Sequence, residues 1–283
     1  MLDLWIAVIV MGVICAAAAG AAYGFLYSEK HPRMVIAFMA LAILGAVLFL
    51  LRLQGHLMWA RFVPHSAAII YTNVAALFAA LAAGWGARLP DTPRWRRMGV
   101  SGLLGLASLA AIMWPMLSMA VRPPPEGQDE WKGPVALQTS WATCSPAAAA
   151  TLLSAEEIPA SEREMIPLCL TDYAGTPTLG MYRGIKLMAN KNNREVEIVD
   201  SGLDQLLSDN DWPVLMAVRL PFGVEDPRFT QEWGWIPGMG HSVVALGFAI
   251  DGRLIVADPA FGLEHWTMDQ LNVLWQGNGI RIK

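Results

Sequence analysis

The stretch that decides the fold of the second half of the chain is Gln138-Thr-Ser-Trp-Ala-Thr-Cys144-Ser-Pro-Ala-Ala-Ala-Ala-Thr-Leu-Leu153. Its alanine-rich part predicts a helix that begins near residues 140–144, because Pro146 is tolerated in a first helical turn. The partial positive charge and free N–H groups at a helix N-terminus lower the pKa of a thiol, and the thiolate is the nucleophilic form. Cys144 is therefore a candidate nucleophile.

Further along the chain, two segments supply the groups that an activated thiol needs: Gly240-His241-Ser-Val-Val and Asp258-Pro259. His241 would form an ion pair with the thiolate and later protonate the leaving amine, and Asp258 would fix the imidazole tautomer. Gln138 and the backbone N–H of Cys144 would hold the oxyanion of a tetrahedral intermediate. Each residue alone has an ordinary structural explanation, but their order and predicted surroundings together favour catalysis.

The hairpin signal Asp251-Gly252 lies between the strand that carries His241 and the strand that precedes Asp258. A two-residue turn there would place Asp258 opposite Ala245, four residues and roughly 13 Å along the strand from His241. A bulge, a longer turn or strand coiling is needed to bring the two side chains together.

Residues 134–282, essentially the whole second half, resemble the bacteriocin-processing, double-glycine-leader peptidase family of papain-like cysteine peptidases. The resemblance is carried by Gln138 to Leu153, Gly175-Thr-Pro-Thr-Leu-Gly180, Gly240-His241-Ser-Val-Val and Ile255-Val-Ala-Asp258-Pro259. It implies a papain-like α+β fold, a Cys144–His241–Asp258 triad and Gln138 as the oxyanion residue. A glycine commonly follows the nucleophile in that family, whereas this chain has Ser145.

The chain also departs from the best-known members of that family, which join the peptidase to a nucleotide-binding transporter. It contains no Gly-x-x-x-x-Gly-Lys-Ser/Thr loop, so we expect no nucleotide hydrolysis by that route, and cleavage after a double glycine is not implied. Histidines and cysteines show no metal-ligand spacing, so neither a metal nor another cofactor is expected. The acidic second half argues against nucleic acid as a partner.

The first half has the composition of a membrane domain. The chain is 55% hydrophobic, and apolar runs at about 4–26, 35–52, 66–87 and 99–120 are each near the length that crosses a bilayer. We therefore predict an α-helical transmembrane region of four spans at 1–120, a proline-containing stalk at 121–133 and the α+β papain-like domain at 134–283.

Basic residues predict the orientation of these spans. The first and third links between the runs carry six Lys or Arg, including Lys30, whereas the N-terminus and the second link carry two, Arg52 and Arg61. The positive-inside rule then places residues 121–283 on the outer face, which we expect to be that of a bacterial plasma membrane. The first run lacks a basic start and is expected to be a retained span.

Periodicity predicts further elements in the second half. Helices are expected at about 161–172, 179–190, 203–207 and 268–274, and strands at 195–199, 213–220, 241–250, 253–257 and 279–282. The segment Trp233-Gly-Trp235-Ile-Pro, just before His241, fits either the wall of a substrate groove or core packing.

The leading functional hypothesis is a membrane-anchored cysteine peptidase that acts on a peptide or protein substrate, which could be membrane-associated. The same residues could instead serve an amidase or transferase, or a non-catalytic module that binds leader-type peptides for a membrane partner. A structural domain with a Cys144–Cys169 disulfide is a further alternative, since three cysteines do not make a disulfide framework.

Overall fold

The computed structural model describes residues 1–25, 31–224, 227–232 and 234–283. Lys30 of the first link and Trp233 of the aromatic segment lie outside the described residues. The chain divides into two compact units: residues 1–56 with 67–118, and residues 57–66 with 119–283. The second unit is therefore built from two separate segments of the chain.

The first unit consists of long apolar helices. In chain order the helices of the first half are α1 (Leu2–Phe25), α2 (Pro32–Arg52), α3 (Trp59–Phe62, in the second unit), α4 (Ala68–Tyr71), α5 (Val74–Gly86) and α6 (Arg94–Val121). Among the described residues, four helical segments are long and apolar enough to cross a membrane, with α4 and α5 together forming the third. They overlap the four predicted runs.

Close packing in this unit depends on small residues. A Cβ added at Gly84 of α5 would lie 2.2 Å from the carbonyl oxygen of Ala19 in α1, so only glycine allows the two helices to approach this closely. The third candidate span is interrupted between α4 and α5, where the Asn73 side-chain amide donates to the carbonyl oxygen of Ala111 in α6, at 2.9 Å. That bond satisfies a backbone acceptor on a neighbouring helix.

The second unit places helices before a sheet, as predicted for an α+β domain. Its elements after α3 are β1 (Trp131–Lys132), β2 (Val135–Ala136), α7 (Cys144–Ala155), α8 (Glu162–Leu168), α9 (Thr178–Lys191), β3 (Val196–Asp200), α10 (Leu203–Asp209), β4 (Val214–Arg219), a π-helical turn (Arg228–Glu232), β5 (Gly240–Phe248), β6 (Leu254–Asp258), β7 (Gly262–Trp266), α11 (Met268–Leu274) and β8 (Trp275–Ile282). In the described part, six strands form an antiparallel sheet in the order β3-β8-β4-β5-β6-β7.

Helix α7 is the element that brings the thiol to the sheet. Its residues from Ser145 to Leu153 are all buried, and the helix packs against β5. Because alanine side chains are short, the helix backbone lies close to the strand. The N-terminus of α7, with Cys144, therefore lies near the start of β5, with His241.

Two predicted elements have different bounds in the structure, and one strand was not predicted. Helix α8 ends at Leu168, before the predicted residue 172, and Leu170 adopts a left-handed conformation with φ +56° that no continuing helix allows. Strand β8 starts at Trp275 rather than residue 279. Strand β7 was not predicted because its exposed and half-buried middle positions, Leu263 to His265, include two ionisable side chains that resemble a loop.

The second unit also includes the short segment around α3. Arg61 of α3 forms an ion pair with Asp200 at the end of β3, at 3.2 Å, and both side chains are exposed. An exposed pair of this kind contributes only about 0–1 kcal/mol to the free energy of unfolding. The ion pair shows that the segment around α3 contacts the end of β3.

Candidate active site

Cys144 is half-buried at the first position of α7. Burial alone would raise the pKa of its thiol, but a hydrogen bond and Coulomb attraction from His241 lower it. The Ser145 hydroxyl and a backbone contact from Ser242 act in the same direction, so the pKa of Cys144 lies below its ordinary value. The surroundings of this sulfur therefore favour the thiolate.

His241 is the second residue of β5, and its side chain is 15% exposed. Its Nε2 lies 2.7 Å from Asp258 Oδ1, which leaves Nδ1 as the ring nitrogen that can serve Cys144. Burial disfavours the charged imidazole, but attraction and hydrogen bonding by Asp258, followed by those of Cys144, raise the pKa of His241 to about 10. A lowered thiol pKa beside a raised imidazole pKa favours a thiolate–imidazolium pair.

Asp258 ends β6 and is fully buried. Its carboxylate meets the ring Nε2 of His241 and accepts hydrogen bonds from Trp235 Nε1, at 3.0 Å, and the backbone N–H of Ala260, at 2.8 Å. A buried carboxylate needs such partners, since desolvation without them is costly. The three contacts fix the carboxylate and, through it, the orientation of the imidazole.

The pairing of β5 with β6 brings His241 and Asp258 together. The connecting turn has three residues, Ile250–Gly252, because Ala249 donates its N–H to the carbonyl oxygen of Arg253. A bulge between Ala245 and Gly247 shifts the register further. Val244 therefore pairs with Ala257, two positions nearer to His241 than a two-residue turn would allow. The longer turn and the bulge together close the gap that the sequence pattern left open.

Trp235 acts on both members of this pair. Its ring lies edge-on to His241 with centroids 4.9 Å apart, and its indole N–H bonds to Asp258. Behind it, Trp266 packs at 5.7 Å. The sequence around Trp235 fits either a groove wall or core packing, and the role of Trp235 as a donor to the carboxylate was not predicted. The available signal was the indole N–H, which usually has a hydrogen-bond acceptor when a tryptophan is buried.

Gln138 lies in the loop between β2 and α7. Its backbone N–H donates to the carbonyl oxygen of Pro259, at 2.9 Å, which holds it beside the Asp258 turn. Its side-chain Oε1 is buried and has no hydrogen-bond partner among the described residues. An amide in this position can donate through Nε2 to a bound group.

The next residue, Thr139, is anchored by a carboxylate that sequence analysis did not identify. Glu162, at the start of α8, is 1% exposed and accepts hydrogen bonds from the Thr139 N–H, at 2.8 Å, and from the Gln128 N–H, at 3.0 Å. It thereby joins the segment after α6 to the loop that carries Gln138. Single-sequence periodicity has no signal for a buried acid that accepts backbone hydrogen bonds.

Ser145 replaces the glycine that the resemblance would lead one to expect. Its hydroxyl lies 2.9 Å from the hydroxyl of Ser242 and 3.9 Å from Cys144 Sγ. Both hydroxyls are buried, so each gains a partner from the other. The serine therefore fits between α7 and β5 without an unsatisfied hydroxyl.

The other cysteines do not pair with Cys144. All three cysteines are free thiols, so the structure does not contain the Cys144–Cys169 disulfide. Cys169 is fully buried, and burial raises the pKa of its thiol to about 12. Within the described part of the chain, no group of three or more His, Cys, Asp or Glu side chains could hold a metal ion.

The chain matches no protein family model and has no significant match among curated proteins. Three similar solved structures are peptidase domains or a protease. The peptidase domain of Streptococcus ComA, a bi-functional ABC transporter involved in a quorum sensing pathway, is 19% identical, with a TM-score of 0.41 over 52% of this chain and 96% of that one. A double glycine motif protease from an AMS/PCAT transporter, in complex with the leader peptide, is 17% identical, with a TM-score of 0.41 over 57% and 97%. The peptidase domain of Streptococcus mutans ComA is 19% identical, with a TM-score of 0.36 over 53% and 98%. At this level the similarity does not identify the chain.

Proposed function

We propose that this protein is a membrane-anchored cysteine peptidase. The observation that carries the proposal is the placement of Cys144 at a helix N-terminus beside His241, whose Nε2 bonds to the buried Asp258. A thiol with ordinary surroundings is mostly protonated at neutral pH, whereas every polar neighbour of Cys144 lowers its pKa. Structural cysteines have no need of such surroundings.

The reaction follows from these positions. The Cys144 thiolate attacks the carbonyl carbon of a peptide bond, and the electron pair of the carbonyl moves to oxygen. The Cys144 N–H and Gln138 Nε2 stabilise this oxyanion. When the intermediate collapses, the C–N bond breaks and imidazolium Nδ1 gives its proton to the leaving amine. Water, deprotonated by His241, then hydrolyses the thioester and releases the carboxylic acid and the thiol.

Gln138 would be the oxyanion residue because its loop is anchored on both sides. Its own N–H is bound to Pro259, and Thr139 is bound to Glu162. Donors that are held in place before the substrate arrives stabilise developing charge without a cost of reorganisation. The proposed triad and oxyanion residue therefore come from four elements that are tied to one another: β5, β6, α7 and the loop before α7.

The hydrolase hypothesis predicts that the detergent-solubilised full chain cuts peptides in a mixture made by digesting an unrelated protein. In water enriched in oxygen-18, each new carboxyl terminus should carry the heavy isotope, because water resolves the thioester. Cys144→Ala should produce no new termini, and mass spectrometry of the two digests checks this.

Other results of that experiment would favour the alternatives. New carboxyl groups joined to an added amine, without the isotope, would identify a transferase. Peptides that are bound equally by the protein and by Cys144→Ala, but never cut, would identify a binding module. As the control for correct folding, the buried Cys169 should be protected from a thiol reagent in both proteins.

The proposed location is the outer face of a bacterial plasma membrane, with four spans preceding the catalytic domain. Support comes from the four long apolar helices and from the basic residues in the first and third links. A carboxyl-terminal alkaline phosphatase fusion should therefore be active, since that enzyme needs an exterior compartment. A matched fusion at Asp91, in the third link, should be inactive. The reverse pair of activities would contradict this orientation.

A further inference from the structure

An apolar pocket opens directly beside His241. It has a volume of about 80 Å³ and is formed by Trp141, Trp235, Ile236 and Met239 together with His241. Apart from His241, its described lining residues carry no charge. Trp141, Ile236 and Met239 are 48%, 55% and 40% exposed, so their apolar surfaces are available to a ligand.

Residues 234–239, at the end of the connection between β4 and β5, form one wall of the pocket. Gly234 and Gly238 adopt left-handed conformations with φ of +62° and +81°, which other residues rarely take. The N–H of Trp235 donates to the carbonyl oxygen of Phe229, and that of Gly238 to the carbonyl oxygen of Leu220, both at 2.8 Å. Binding therefore does not have to order this wall first.

Trp141 forms the opposite wall from the loop that precedes Cys144. Its ring meets the ring of Tyr173 edge-on, with centroids 6.0 Å apart, which supports its orientation. The pocket thus lies between the loop that leads to the nucleophile and the loop that leads to His241. A substrate that reaches the thiolate must pass one of its side chains close to this surface.

The geometry of proton transfer determines which substrate side chain lies against the pocket. The leaving amine must come within hydrogen-bond reach of His241 Nδ1. The nitrogen of the leaving amine is bonded directly to the Cα of the residue after the cleaved bond. The side chain of this residue therefore emerges next to the imidazole. We propose that the pocket is the subsite for this residue and selects an aliphatic or aromatic side chain there. The inference rests on the proposed peptidase function and adds a substrate class to it.

The expected selectivity is substantial. Transferring a leucine- or phenylalanine-sized side chain from water to an apolar surface corresponds to roughly tenfold to hundredfold in kcat/KM, depending on how fully it is covered. A carboxylate or ammonium in the same place would lose water without gaining a partner. Peptides with Leu after the cleaved bond should therefore be preferred to otherwise identical peptides with Glu or Lys.

The test compares three variants of the full chain in detergent. Ile236→Lys and Ile236→Glu place opposite charges in the pocket, and Ile250→Lys is the matched control at the exposed tip of the β5–β6 turn. The peptide-mixture digest first gives the new amino termini, which should be enriched in large apolar residues. Peptides from one cleaved sequence, with Leu, Glu or Lys after the bond, then give kcat/KM ratios.

We expect Ile236→Lys to lower the Leu-to-Glu ratio at least tenfold, Ile236→Glu to lower the Leu-to-Lys ratio likewise, and Ile250→Lys to change neither. A variant that is only partly folded would show the same fractional loss of kcat/KM for every peptide, so its ratios would not change. Cys144-dependent cleavage with no enrichment, or with unchanged ratios in both Ile236 variants, would overturn this inference alone. Absence of any Cys144-dependent cleavage would overturn the peptidase function and the inference with it.

Discussion

Cys144 should react with iodoacetamide faster at pH 7 than the same thiol in His241→Ala, and its rate should rise less steeply between pH 7 and pH 9. The thiolate reacts, so the rate follows the fraction of thiol that is ionised. Because the pKa of Cys144 is lowered, more of the thiol is ionised at neutral pH in the native protein than at its ordinary pKa. Removal of the imidazole restores a pKa nearer the ordinary value, and labelling at pH 7 should fall by about tenfold or more.

Cys169 supplies the internal control for this experiment. It is fully buried and burial raises its pKa to about 12, so it should stay unlabelled until the protein is denatured. Mass spectrometry of the two cysteine-containing peptides measures both rates in one sample. Equal pH profiles for Cys144 in the native protein and in His241→Ala would show that no ion pair exists, and the peptidase proposal would fail.

The second large effect is expected from Asp258→Asn, which keeps the shape of the side chain and removes its charge. The buried carboxylate is a main cause of the raised pKa of His241, so its loss should lower that pKa and weaken the ion pair. A hydrogen bond to a charged group is worth about 1.5–3 kcal/mol, which corresponds to roughly 10- to 100-fold in kcat/KM. The rate of peptide cleavage and the pH profile of Cys144 labelling should change together.

Trp235→Phe is the matched variant for Asp258→Asn. It removes one donor to the carboxylate but keeps an aromatic ring beside His241. We expect a smaller loss than in Asp258→Asn, together with a labelling profile that stays close to the native one. If Asp258→Asn left both cleavage and labelling unchanged, Asp258 would not orient the histidine, and another group would have that role.

Much of this fold follows from local patterns. The alanine run after Cys144 predicts a helix that begins near residues 140–144, and α7 begins at Cys144. The apolar runs of the first half predict long helices, because each has about the 20 residues that a helix needs to cross the hydrocarbon core of a bilayer. Strand β7 escaped prediction because Glu264 and His265 interrupt the apolar alternation.

The surroundings of the candidate site were harder to predict than its four named residues. Cys144, His241, Asp258 and Gln138 belong to short motifs, but the contacts of Glu162 and Trp235 connect residues that are far apart in sequence. Such contacts depend on register, and the register here depends on a bulge between Ala245 and Gly247. A single sequence does not encode a bulge in any pattern of spacing.

The two-segment construction of the second unit restricts how the chain can be threaded. Residues 57–66 and 119–283 belong to one compact body, in which Arg61 meets Asp200. If the candidate spans cross a bilayer as proposed, both segments lie in the same compartment and the stretch between them crosses an even number of times. The third and fourth candidate spans supply two crossings. Under the proposed topology, a protein in which one of these two helices failed to insert could not bring the two segments of this unit together, so assembly of the domain that carries Cys144 would depend on correct insertion.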